Sequence, residues 1–322
     1  MIKILKSNKI IILLLLIVCI IFMIKPETYT KCCLNAISVW SLKILPVMFP
    51  FFIFTRLIVN LSENKPNFMD KFFNKLYHTP KGSFLTFFLS ILSGYPMGAK
   101  LICSMYDNNQ TDSKNARKML SFCSVSGPMF MLATVGIGIL NSYKAGIIIL
   151  ISNIIASLFN GLIYRDKNDN FKYTPIKKSS NANILSDSVY DALISILMVG
   201  AYIVLSFLII EILKNLGVIY FLALCICKIF KCSQNVNIVQ AILCGGIEMT
   251  NGILEISKIN VSLSLQTIIS SVVIAFGGIS VLLQSINFLD KLKIPVKTMI
   301  KQKTTQAVLC LIIVIPLCII FL

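Results

Sequence analysis

Charge is scarce in this chain, and histidine and tryptophan are nearly missing. Of 322 residues only 13% are Asp, Glu, Lys or Arg, one is His and one is Trp. The first scarcity excludes a water-soluble globular domain of ordinary composition, in which about a quarter of residues are charged. The second removes the commonest general base and metal ligand, since His78 stands alone. G-x-S-x-G, H-E-x-x-H and P-loop patterns are also absent, so binding and passage are expected rather than enzyme catalysis. No nucleic-acid motif is present, and no nucleic-acid partner is expected. The eleven cysteines are an odd number, and most (Cys19, Cys103, Cys244, Cys310, Cys318) lie inside apolar runs, where Cys acts as a small hydrophobe rather than a disulfide partner. Cys225, Cys227 and Cys232 match no zinc spacing, so no metal and no cofactor are expected beyond a coupling cation, Na+ or H+.

What the chain has instead is apolar surface: 57% of its residues are hydrophobic. They fall into ten runs, at about 10–24, 33–59, 84–106, 118–140, 145–164, 189–213, 216–230, 236–256, 262–287 and 306–322. A bilayer is the partner this composition requires, and a multi-pass integral membrane protein is expected. The first run follows Lys3, Lys6 and Lys9 and is followed by Lys25-Pro26-Glu27 with no small-residue cleavage site, which reads as a retained signal anchor. Trp40, Tyr29 and Tyr143 suit interfacial belts.

The runs are of two kinds. Ala145–Tyr164 and Gln306–Leu322 are plain Ile/Leu-rich helices, whereas 84–106, 118–140, 236–256 and 262–287 are broken by Gly, Pro, Ser and Asn. A broken backbone in lipid must be buried in protein or line a cavity, because each unpaired N–H or C=O costs several kcal/mol there. The order broken, broken, plain recurs in 84–164 and 236–322. Paired interrupted segments at matching places in two halves point to a transporter site near the bilayer midplane. Close helix packing through Gly and Pro is the competing explanation.

The fold class is therefore an all-α polytopic membrane protein of two similar halves with re-entrant or broken helices. Its parts are an N-terminal signal-anchor helix (1–32), a first membrane half (33–164) with a hairpin motif at 84–106, a cytoplasmic linker (165–188), and a second half (189–322) with a hairpin motif at 236–256. The net charge of +17 follows topology. With a cytoplasmic N-terminus and a re-entrant 84–106, 21 of the 30 basic residues are cytoplasmic. For 236–256 two solutions survive, a crossing or a hairpin entered from outside; the second makes the halves an inverted repeat.

Candidate site residues lie at the interruptions. Lys100 follows Gly94-Tyr95-Pro96-Met97-Gly98-Ala99 in an otherwise uncharged run. An ammonium at that depth should face the interior and pair with an anion, or else snorkel to the cytoplasm. Pro96 with Gly94 and Gly98 permits a tight reversal whose free N–H groups would add to an anion site. Glu248 is the acidic counterpart, with Thr250 and Asn251 beside it; it suits ion coupling, proton uptake or an ion pair with Lys100. Ser126 and Gly127 mark the break in 118–140, and Ser280 and Gln284 share a helical face in 262–287, offering neutral hydrogen bonds to a polar solute. The expected partners are a small-molecule anion and the bilayer, with self-association into a homo-oligomer left open.

Ser90-Ile-Leu-Ser-Gly-Tyr-Pro-Met-Gly-Ala-Lys100, Leu120-Ser-Phe-Cys-Ser-Val-Ser-Gly-Pro-Met-Phe130, Gly246-Ile-Glu-Met-Thr-Asn-Gly252 and Phe276-Gly-Gly-Ile-Ser-Val-Leu-Leu-Gln284 resemble the motifs of the YlbJ-type sporulation integral membrane proteins, members of the wider nucleoside-recognition, or Gate-domain, group. The resemblance covers most of the chain from about residue 33. It implies an architecture related to concentrative nucleoside transporters and residence in the outer forespore membrane of an endospore former. It also implies transport of dipicolinate, a pyridine dicarboxylate. Nucleoside carriers have carboxylates in both hairpins, whereas the first motif here offers Lys100, which suits a dianion better than a neutral nucleoside. The rival expectations are a nucleoside or other small-solute carrier, and a non-transporting scaffold for spore cortex or coat assembly.

Overall fold

The computed structural model describes residues 2–61, 68–166, 183–231 and 235–322, and in its first helix the side chains of 2–8, 10, 11 and 14 are not described. The 167–182 stretch of the linker and Cys232 thus lie outside the described residues. Within them every regular element is a helix.

After α1 (Ile2–Ile24) the chain forms α2 (Pro26–Leu61), one long helix with a π-turn over Trp40–Ile44. A short amphipathic α3 (Phe68–Tyr77) leads to a helical hairpin, α4 (Ser83–Ser93) and α5 (Met97–Asp107). A discontinuous pair follows, α6 (Ser113–Cys123) and the π-wound α7 (Phe130–Ile137), and then the straight α8 (Tyr143–Ile163). The second half runs α9 (Ile184–Asn215), α10 (Val218–Ile229), hairpin α11 (Val236–Ile247) and α12 (Met249–Ser257), discontinuous α13 (Leu263–Phe276) and α14 (Gly278–Leu289), and α15 (Val296–Phe321). Both halves therefore read long helix, short helix, hairpin, broken helix, single long helix, the last with Pro316 inside it in the second half.

Among the described residues five helices are long and apolar enough to cross a membrane: Pro26–Leu61, Tyr143–Ile163, Ile184–Asn215, the broken Leu263–Leu292, and Val296–Phe321. Their outward side chains are large and apolar, with Leu42, Phe54, Leu197, Ile312 and Ile319 all exposed, as contact with lipid requires. The hairpin arms have a different length. Eleven residues at about 1.5 Å rise make α4 roughly 16 Å long, half of a ~30 Å hydrocarbon core.

The four breaks have local causes. Gly94 ends α4 at φ +75 and Gly277 ends α13 at φ +82, a left-handed conformation that stops a helix without the cost other residues bear. Pro96 and Pro128 lack the N–H needed to continue a helix through the first two breaks. Of the helices that follow the breaks, α12 starts on a side-chain cap, with Glu248 Oε2 accepting from Asn251 N at 2.7 Å; α6, ahead of the second break, is likewise capped by Asp112 Oδ1, which accepts from Asn115 N at 2.7 Å. The first hairpin is also capped from outside, because buried Asp70 of α3 accepts from Gly82 N (3.1 Å) and Phe84 N (3.2 Å).

Two features tie the halves together. A scaffold of α8, α13 and α15 is joined by a buried polar ladder, in which Ser152 Oγ meets Ser271 Oγ at 2.7 Å and Asn153 Nδ2 donates to Ser271 O at 3.3 Å. Against it, each hairpin tip rests on the break that follows it in sequence. A Cβ on Gly94 would fall on the backbone of Gly127, and one on Gly278 would meet the carbonyls of Ile247 and Gly245.

Three placements differ from the sequence expectations. Tyr29 is buried and stacks on Phe22, and Trp40 packs half-buried against Gly200, so neither forms an interfacial belt; exposed Tyr143 does face outward. The last apolar run was expected from Gln306, but α15 begins at Val296, so Lys303 belongs to a membrane helix and not to the preceding loop.

Candidate functional site

The four breaks meet. Tyr95 from the first hairpin tip, Ser126 from the first broken helix, Glu248 and Thr250 from the second hairpin, and Gln284 from α14 line one cavity. Its remaining wall is apolar and comes from the long helices: Ile44 and Met48 of α2, Val199 and Ile203 of α9, with Phe130 and Val281. Five of the residues expected at a site therefore converge, although they span 190 positions of sequence. The space open to water is about 20 Å³, room for one or two water molecules. The breaks are closed on one another here, and the space between them is too small for an organic solute.

Glu248 is the one charged group on this wall. It is 2% exposed and makes no ion pair among the described residues. Its stabilisation comes from the start of α12, where Oε2 takes the Asn251 N–H. Asn251 lies behind it with Oδ1 buried and without a hydrogen-bond partner. Such a carboxylate holds a proton or meets a cation or hydrogen-bond donor, because an uncompensated buried charge is expensive. Gln284 Nε2 donates to Ser280 Oγ at 3.3 Å, so Ser280 orients the glutamine beneath the cavity.

The other expected residues have other places. Gly94, Gly98 and Gly127 serve close packing: the first hairpin lies so near the α6–α7 break that a Cβ on Gly98 would run into the carbonyl of Cys123. Pro96 forms the turn, with a cis Tyr95–Pro96 peptide bond. Lys100 does not line the cavity. Its ammonium donates to Ser195 Oγ (2.8 Å) and Asp191 O (3.2 Å) on α9, while the Asp191 carboxylate pairs with Arg56 at 2.6 Å. It faces protein, as its depth demands, but on the outer side of the first hairpin.

Sequence reasoning missed the buried cation that does border this centre. Lys303 of α15 is 4% exposed, and its Nζ donates to Tyr95 Oη (2.5 Å), Ser124 O (2.7 Å), Gln306 Oε1 (3.2 Å) and Ala275 O (3.3 Å). The ammonium also lies 4.3 Å from the Tyr95 ring centroid. Tyr95 Oη in turn donates to Ile274 O at 3.3 Å. A small cavity of mixed lining lies beside the lysine, with Ser121, Ser124, Gln302 and Gln306 facing it alongside Leu120, Leu282 and Met299. In sequence Lys303 closes the basic series Lys297, Lys301, Lys303 and so reads as loop charge. The available signal was Gln302 and Gln306 flanking it ahead of an apolar run, a polar turn continuous with a spanning helix.

These features define a polytopic α-helical integral membrane protein whose two halves each present a hairpin and a discontinuous helix to a shared polar centre. The chain is similar to the sporulation integral membrane protein YlbJ of Bacillus subtilis (strain 168), with 23% identity over 320 residues, covering 91% of this chain and 78% of that protein. No family model matches the chain, and no solved structure matches it.

Proposed function

We propose that this protein is a transporter that carries a small carboxylate solute, dipicolinate by preference, across the outer forespore membrane, with protons as the coupling ion. The observation that carries the proposal is the meeting of four chain breaks around buried, unpaired Glu248. Such breaks are tolerated in a membrane only where they line a path or are buried in protein, and here they do so at one point. The kinship with a sporulation membrane protein supports the spore context.

The cavity also constrains the mechanism. Its only charge is negative, so a dianion can occupy it only when Glu248 is protonated, as a hydrogen-bond donor toward a cargo carboxylate. Entry of anion and proton together follows from that electrostatic requirement. In this reading the hairpins part to admit cargo, the first toward the cytoplasm, as the basic loops favour, and the second toward the outside, the one of its two surviving topologies that makes the halves an inverted repeat. Lys100, with Arg56, sits on the outer flank of the first hairpin and serves anion approach rather than the closed site.

A second reading has one observation in its favour. An ionised Glu248 with Gln284 and Ser126 suits the donors of a neutral nucleoside. Vesicles containing the purified chain separate the readings: dipicolinate uptake driven by an inward proton gradient is expected, and uptake of labelled uridine without dipicolinate would replace the first reading by the second. A scaffold moves neither solute.

A further inference from the structure

Lys303 is buried in a membrane-spanning helix without a carboxylate partner among the described residues, a setting in which a bare ammonium is costly. What compensates it is an oxygen shell. Two of its acceptors, Ser124 O and Ala275 O, are main-chain carbonyls at the C-terminal ends of α6 and α13, where each broken helix leaves carbonyls without intrahelical partners and a negative dipole end. The others are the Tyr95 phenol at the first hairpin tip and the Gln306 amide oxygen one turn along α15. Unwound carbonyls and half-helix C-termini are the groups that hold small metal cations in carriers of this architecture. Here a side chain has its charge there.

We propose that Lys303 is a built-in cation, taking the place of a bound metal ion in locking the first hairpin and both broken helices together. The lock rests on the transporter reading for its purpose, since it holds the breaks in the closed arrangement until cargo and proton arrive at Glu248. Its consequence is separate: the closed form needs no sodium or potassium, and removing the ammonium leaves an oxygen cage able to bind a small free cation.

The test is thermal unfolding of the purified full-length chain in detergent at equal ionic strength, in choline, sodium, potassium or methylammonium chloride. Wild type is expected to unfold at one temperature in all four. Lys303→Ala should unfold several degrees lower in choline and recover saturably with methylammonium or a metal cation, because a ligand that binds only the native state stabilises it. Lys303→Met, which fills the space without charge, should show the loss and no recovery. Tyr95→Phe and Gln306→Ala each withdraw one oxygen and should lower the unfolding temperature by less, which keeps the idea testable if Lys303→Ala does not fold. Stabilisation of wild type by sodium or potassium over choline overturns the proposal, as does failure of every small cation to restore Lys303→Ala, or unchanged unfolding of both Tyr95→Phe and Gln306→Ala. Flux measured on the same preparation stands apart: active vesicles without cation rescue sink the lock alone, and rescue without flux sinks the transporter reading alone.

Discussion

Two buried charges of opposite sign border the centre of this molecule and are not paired with each other. Glu248 is stabilised by the N-terminal amides of α12 and Lys303 by the C-terminal carbonyls of α6 and α13, so each charge sits at the helix end whose dipole favours it. The arrangement leaves Glu248 free to exchange a proton without breaking a salt bridge. Glu248→Gln keeps shape and donor capacity but cannot release a proton. It should reduce proton-driven dipicolinate uptake by roughly tenfold or more, on the order of 1.4 kcal/mol of barrier, with normal membrane abundance. Uptake unchanged at every pH would remove this residue from the coupling role. Lys100→Ala is expected to act differently: since Lys100 contacts α9 rather than the cavity, it should raise the dipicolinate concentration giving half-maximal uptake and leave the maximal rate near that of wild type. A loss of maximal rate would place Lys100 in the transport step itself.

The two kinds of element follow from where glycine and proline fall. Uninterrupted α8 and α15 support the molecule, and the arms and tips of the interrupted pairs meet one another in contacts too close for a side chain. Gly252 illustrates this, since a Cβ there would enter the backbone of Gly245 across the second hairpin. Gly252→Ala should therefore destabilise by about 1–3 kcal/mol through overpacking. At Gly246, one position further along α11, a Cβ would meet nothing within 4 Å. Gly246→Ala should be neutral or stabilise by up to about 1 kcal/mol, the helix-propensity difference. Thermal unfolding of the two variants checks both, and equal effects would contradict the close hairpin contact.

This level was largely legible in the sequence, because glycines, prolines and apolar run lengths act locally. The segments 84–106, 118–140, 236–256 and 262–287 are each broken near the residues that mark them. What could not be read was direction. Lys100 stands two residues past Gly98, yet a helix only 11 residues long presents it to α9 instead of the cavity. Lys303 was hidden for the converse reason: its shell is assembled from Ser124, Ala275 and Tyr95, residues 28 to 208 positions away, and two of the four acceptors are main-chain atoms that carry no sequence signature.

At the scale of the whole molecule, the same order of five elements occurs twice, and the breaks of both copies converge on one closed centre. With space for one or two waters, that centre is the resting form of the proposed carrier, and cargo must separate the hairpin tips from the broken helices. The most direct measurement is cargo protection of a single cysteine at Ser126, placed in a chain whose native cysteines are replaced, against a small water-soluble thiol reagent. The account predicts slow labelling that is measurable only as the hairpins open, and that dipicolinate slows further in a saturable manner at acidic pH. Labelling that dipicolinate and uridine both leave unchanged, in protein shown to be folded, would contradict the claim that solute passes between the breaks.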